Sequence, residues 1–229
     1  MKSVIRKGLI WSGISLVIMS GILIYAWFNV PRDVDLPVHW GISGEPDRFL
    51  PFAGAMWSLS APALISVGIA VLFAVLPWID PRKVNLEKSR KAYLFGWIGT
   101  LAIMTGVTAL MTASMMATGE GLSTSFVSKI ILAGVAIFLI GIGNFLPKTR
   151  SNWFVGIRTP WTLSSDFTWE KTHRAGGWLF VLSGLIALPF AVLGSGYWQL
   201  TILPLILATV AFLLGYSWWV WREAPDRTS

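Results

Sequence analysis

Long runs without charge organise the chain. Residues 8–31 separate Lys7 from Arg32, and residues 49–79 separate Arg48 from Asp80; further uncharged runs cover 92–119, 130–147 and 175–221. A helix that crosses the roughly 30 Å hydrocarbon core of a bilayer needs about 20 apolar residues. Each of the first four runs therefore holds one span. The last has 47 residues, roughly 70 Å as one helix at about 1.5 Å per residue, which is too long for a single crossing. Turn-forming "GSGYW" (Gly194–Trp198) falls at its middle. The pattern predicts an all-α, polytopic membrane helix bundle with six transmembrane helices, near 9–28, 53–78, 93–116, 126–146, 175–193 and 199–221.

Composition agrees. Hydrophobic residues are 55% of the 229 and charged residues 13%, against about 25% charged in soluble domains. The first run follows Lys2, Arg6 and Lys7 as a signal peptide would, but it exceeds an apolar signal core of about 7–15 residues. It reads as a retained helix. The net charge of +7 does not indicate direct nucleic-acid binding, because the basic residues sit in short clusters between the spans. There is no Cys, which removes disulfides, thiolate metal sites and thiol catalysis. Lys and Arg are distributed fifteen to three between the two sides. Basic residues mark the cytoplasmic side, so both termini and the 79–92 and 147–174 loops are expected there, and the 29–52 loop outside. This is the arrangement of a multi-pass protein of a cytoplasmic membrane. No acidic, basic or His residue sits deep in a span, which argues against a proton relay or ion-coupled transport. Thr105, Ala109, Ala113 and Ala117 form a small-residue ridge suited to close helix packing.

Two polar segments carry the candidate chemistry. The outer one, "LPVHWGISGEPDRFLP" (Leu36–Pro51), reads as a turn-rich loop. His39 lies near acids, but no second His or zinc-type spacing accompanies it, so neither metal nor cofactor is expected. The inner one, "GIRTPWTLSSDFTWEKTHRAGG" (Gly156–Gly177), mixes tryptophans with basic residues as interfacial segments do. Ser164 or Ser165 is placed to cap a short helix with Asp166 in its first turn, and Glu170 and Arg174 have the favourable i, i+4 order. Gly176–Gly177 would bend the chain into the fifth span. Arg158, beside Ile157, Pro160 and Trp161, is expected to pair with Glu170 or Asp166 as the keystone of the segment. His173 with Asp166 or Glu170 would be the only catalytic constellation. No nucleophile joins it, so an enzyme is not expected and no catalytic residue is assigned. An interfacial helix that anchors the loop needs no ligand at all.

"GNFLPKTRSNWFVGIRTPWTLSSDFTWEKTHRAGGWLF" (Gly143–Phe180) resembles the signature of the bacterial SdpI family of integral membrane proteins, and the "P-x-H-W-x-x-x-G-x-P-D" stretch (Pro37–Asp47) resembles the extracytoplasmic module common in their N-terminal halves. The resemblance implies a two-span module over 1–92, with its outer loop at 29–52, and a four-span module over 93–229, with an amphipathic loop at 147–174. It implies an immunity or signalling protein that protects against a secreted toxic or antimicrobial peptide and holds a transcriptional repressor at the membrane. The lipid bilayer, a toxin peptide outside and a repressor inside would be its partners. Carried over by motif, the outer ligand loop comprises Pro37, His39, Trp40, Gly44, Pro46 and Asp47. The inner signature comprises Asn152, Gly156, Arg158, Thr159, Pro160, Trp161, Trp169, Glu170, His173 and Arg174. One departure is that Phe49, Leu50 and Pro51 stand where polar or basic residues are expected. The alternative is a small-molecule or lipid transporter without an ionisable relay.

Overall fold

The computed structural model describes residues 1–41, 45–117, 124–193 and 199–227. The elements run α1 (Lys2–Asn29), β1 (Leu36–Trp40), β2 (Pro46–Leu50), α2 (Phe52–Ile79), α3 (Lys83–Lys88), α4 (Arg90–Met116), α5 (Thr124–Phe145), a 3-10 turn (Leu146–Lys148), α6 (Pro160–Ser164), α7 (Asp166–Leu193) and α8 (Gln199–Arg222). Six of these helices are long and apolar enough to cross a membrane, where the uncharged runs predict them. The Gly194–Trp198 break lies outside the described residues. Both termini are at one end: the Met1 ammonium pairs with Glu87, and Asp226 accepts a bond from Ser165. That end also holds α3 and α6 and is called the loop end; the other is the hairpin end.

Three expectations are corrected. The outer segment is not simply a loop. β1 and β2 pair antiparallel, with Leu36 opposite Leu50 and Trp40 opposite Pro46, so the fold is nearly rather than wholly helical. Irregularities on either side of His39 let the short ribbon form despite Pro37 and Pro46. Nor does the chain bend at Gly176–Gly177, because α7 runs unbroken from the polar segment into the fifth span. The Thr105–Ala117 ridge packs only in part: Thr105 bonds Ser15 of α1, while Ala109 is exposed, so the ridge is not the main packed face of α4. The buried side chains of α4 are Tyr93, Trp97, Leu101, Met111 and Met115, which fill most of the space between helices, with the smaller Thr108, Thr112 and Ser114 among them.

The bundle is assembled around α4. It packs against α1 and α2 on one side and α5 on the other, while α5 crosses α7 over the longest interface and α7 packs on α8. Near the loop end Val4, Tyr93, Trp97 and Leu101 form one buried cluster; at the hairpin end Leu36 inserts among Ala26, Leu59, Met111 and Met115. Hydroxyl pairs add interhelical bonds, Ser15 to Thr105 at 2.7 Å and Ser183 to Thr209 at 3.1 Å, as expected where water cannot compete. Outward-facing Val17, Leu64, Val71 and Leu207 are exposed, a surface that lipid covers.

The α5–α7 crossing depends on glycine. A Cβ added at Gly143 would lie 2.6 Å from the Gly177 carbonyl oxygen, and one at Gly177 would lie 2.8 Å from that of Gly143. Backbone cannot yield as a flexible side chain can. We expect Gly143→Ala or Gly177→Ala to cost about 1–3 kcal/mol through overpacking. Gly21→Ala, where the added carbon meets nothing within 4 Å, should be neutral. Thermal midpoints in detergent check this, and equal midpoints for Gly143→Ala and Gly21→Ala would contradict it.

Candidate functional site

After the 3-10 turn the backbone leaves regular structure until Pro160, yet Thr149, Ser151, Asn152 and Thr159 are buried. An irregular buried segment has no neighbouring strand or helical turn to bond with, so side chains must supply its partners. Asn152 is the local hub. Its Nδ2 donates to the carbonyls of Arg150 at 2.7 Å and Val155 at 3.0 Å, and its Oδ1 accepts from the amides of Phe154 at 2.9 Å and Val155 at 2.7 Å. The α2–α4 connection supplies the rest. Asp80 caps its own turn through the Arg82 amide at 2.7 Å and accepts from the Trp153 amide at 3.3 Å. Arg82 donates to Ser151 and to the Leu163 carbonyl, Asn85 donates to the Ser151 carbonyl at 2.9 Å, and Ser89 accepts from the Arg150 amide at 2.9 Å.

The first turns of α7 close the knot from the other side. Trp169 donates from Nε1 to the Thr149 carbonyl at 3.2 Å and stacks on His173 with ring centroids 3.9 Å apart. Nδ1 of His173 donates to the Trp169 carbonyl at 2.8 Å, while Nε2 accepts from the Ile157 amide at 2.9 Å. Both nitrogens are engaged, so the imidazole is a neutral strut rather than a base facing a substrate. Gly156 makes the approach possible: its φ is +127°, and a Cβ there would lie 2.3 Å from His173 Nε2. Thr159 caps α6 in a reciprocal pair with Thr162, and its hydroxyl lies 3.2 Å from that of Ser217 on α8. Pro160 takes the first helical position, where it needs no amide hydrogen. Ser165 caps α7 by accepting from the Thr168 amide at 3.0 Å, and donates to Asp226 at 2.5 Å. That hydroxyl bond, with the Phe167 amide and against a smaller opposing effect of burial, holds the Asp226 carboxyl below the usual carboxylate range.

Asn152, Gly156, Thr159, Pro160, Trp169 and His173 are thus brought together, with Trp161 half-buried beside them on α6. The expected role of Arg158 is overturned. Arg158 is exposed and donates to the Trp153 carbonyl at 2.7 Å, while Glu170 pairs with Arg150. Neither an Arg158–carboxylate bridge nor a Glu170–Arg174 bridge forms among the described residues, because Arg150 reaches Glu170 first from the adjoining turn. Asp166 and Arg174 are exposed on α7. Sequence reasoning missed Asp80, Arg82, Asn85, Ser89 and Asp226. The signal was present in "IDPRKVN" (Ile79–Asn85), where Asp before Pro is a turn initiator.

At the hairpin end Pro37 is buried and Pro46 half-buried, while His39 and Asp47 are exposed and bonded at 2.5 Å. Trp40 packs towards the bundle, and its buried Nε1 has no hydrogen-bond partner among the described residues. Gly44 lies outside the described residues. Arg32 lies between the ends of α1 and α2, 5.5 Å from the centre of the Trp27 ring and 4.6 Å from that of Phe52.

Fold and knot together define a multi-pass helical membrane protein with an internally bonded polar cap at its loop end. Residues 148–217, which run from the start of that cap through α7 into α8, match the SdpI/YfhL protein family. The resemblance read from the sequence is borne out over this segment. Immunity protein SdpI of Bacillus subtilis (strain 168) is 24% identical over 194 residues, covering 85% of this chain and 85% of that protein. No solved structure matches.

Gly156→Ala should be among the most damaging single changes at the loop end, since both φ and His173 oppose it; Arg158→Ala should be mild. Yields of folded protein on size exclusion check the pair, and similar yields would contradict the assignment. The stabilisation from Asp226 should be fully present above the ordinary carboxylate value of about 4 and lost as pH falls through its depressed folded value. Asp226→Asn should therefore lower the thermal midpoint at neutral pH and approach the parent in acid; a constant difference across that range would refute the linkage.

Proposed function

We propose that this chain is a membrane immunity protein that protects a bacterial cell against a secreted toxic peptide. The observation that carries this reading is the extent of the likeness to Immunity protein SdpI: it runs through 85% of both chains rather than through one motif. The fifteen-to-three bias of Lys and Arg supports an orientation with the loop end in the cytoplasm. The hairpin of the two-span module, with exposed His39 and Asp47, then faces the peptide. The polar knot faces the cell interior, where a repressor would dock on its exposed rim. The role is one of binding and not of catalysis. The buried backbone of the knot is bonded by its own side chains and by those of the α2–α4 connection, which suits a rigid platform.

Deletion of the gene followed by challenge with secreted antimicrobial peptides tests the reading. Sensitivity should rise and be restored by the intact chain. His39→Ala with Asp47→Ala should reduce that restoration without lowering the amount of folded protein. Unchanged survival across a peptide panel would refute the immunity role. Orientation has its own test, helped by the absence of native Cys. Arg48→Cys at the hairpin should react with an impermeant thiol reagent on intact cells, and Lys83→Cys should not; the reverse pattern would invert the topology.

A further inference from the structure

The seam between α4 and α5 joins a basic mouth to an apolar trough. The mouth is a cavity of about 360 Å³ over the first turn of α4, walled by Lys88, Arg90, Lys91 and Lys148. Its one acid, Glu87, is already engaged by the Met1 ammonium, with Arg90 3.9 Å from its other oxygen. Lys88, Lys91 and Lys148 have no ion-pair partner among the described residues; Lys148 reaches the Asn144 amide oxygen at 3.4 Å and lies 5.4 Å from the centre of the Phe145 ring. The first turn of α4 contains no acid. Cations therefore crowd the positive end of a helix dipole, an arrangement that is unfavourable until an anion offsets it.

Ala92 lines both the mouth and a cleft of about 300 Å³. Phe95 lines that cleft and also a trough of about 530 Å³ that continues along the seam past Ile103, Ile130 and Phe138. At Gly106 and Gly134, which also line the trough, an added Cβ would meet nothing within 4 Å. The trough extends to Leu110, roughly 27 Å from Ala92 at about 1.5 Å per residue, so acyl chains entering from the mouth occupy its nearer part within a core roughly 30 Å thick. A soluble anion would fill only the mouth, and an uncharged lipid only the trough.

We propose that the α4–α5 seam is a binding site for an anionic phospholipid, its phosphate held by Lys88, Arg90, Lys91 and Lys148 and its acyl chains in the trough. The assignment is independent of the immunity reading.

The test uses the full chain in detergent, titrated with dioleoylphosphatidylglycerol, dioleoylphosphatidylcholine or inorganic phosphate, and read by native mass spectrometry and thermal midpoint. Phosphatidylglycerol should bind on the order of tenfold more tightly than phosphatidylcholine, given the added attraction of each nearby Lys or Arg for an anionic headgroup. Phosphate alone should not raise the midpoint. Lys88→Gln with Lys91→Gln and Lys148→Gln should remove the preference. Gly106→Leu with Gly134→Leu should weaken both lipids by filling the trough. The lysine variant changes only exposed side chains and decides the matter if the leucine variant aggregates. Equal retention of the two lipids by the parent, full phosphatidylglycerol binding by the lysine variant, or a midpoint shift reproduced by phosphate would each overturn the proposal.

Discussion

Buried irregular backbone is the constraint on which the loop end depends. Between the 3-10 turn and α6 the chain has no ladder to join, yet it runs beneath α7 and beside the α2–α4 connection. Each amide and carbonyl left without a partner there would cost about 1–3 kcal/mol. The solution is distributed. Asn152 bonds four backbone groups of its own loop, Asp80 and Asn85 reach across from the connection, and His173 takes the Ile157 amide. The bonds from Asp80 and Asn85 also tie the α2–α4 connection to the loop that follows α5, adding polar links to the packing of α4 on its neighbours.

Glycine sets how closely the knot's supports can approach. Gly143 and Gly177 let α5 and α7 touch through backbone, bringing α7 over the loop. Gly156 then lets the loop rise to His173 at a φ that side chains rarely adopt. These positions work as a series. A wider α5–α7 crossing would lift Trp169 from the Thr149 carbonyl and His173 from the Ile157 amide, leaving buried groups unpaired on both sides.

The spans were legible because the bilayer imposes a length and an absence of charge, and both can be read along one dimension. Ser165 as a cap of α7 was legible for a similar reason, since its partner is three residues away. The pairing of Arg158 was not. Its neighbours in sequence suggested a buried bridge, but the fold turns it outward and gives Glu170 to Arg150. The hairpin was hidden by Pro37 and Pro46, which break the alternation that marks a strand, and by irregular pairing on either side of His39. Asp80 and Asp226 were hidden differently. Each bonds residues more than fifty positions away, and nothing in local spacing points to such a partner.

The two ends differ in how tightly they are made, and α2 touches both. Its first turn, at Phe52, packs with the cluster beneath the hairpin, and Asp80 at its C-terminal cap accepts the Trp153 amide in the knot. At the hairpin end the contacts are mainly apolar and tolerate small slides, because dispersion changes gradually with distance. At the loop end they are directional hydrogen bonds that do not. A displacement of α2 along its axis would therefore be absorbed under the hairpin and felt as a lost bond at Asp80, where the 3.3 Å contact to Trp153 has the least length to spare. A perturbation of the hairpin large enough to move α2 would be felt in the polar cap at this carboxylate, so α2 links the two ends alongside α1 and α4, which also run from one buried cluster to the other.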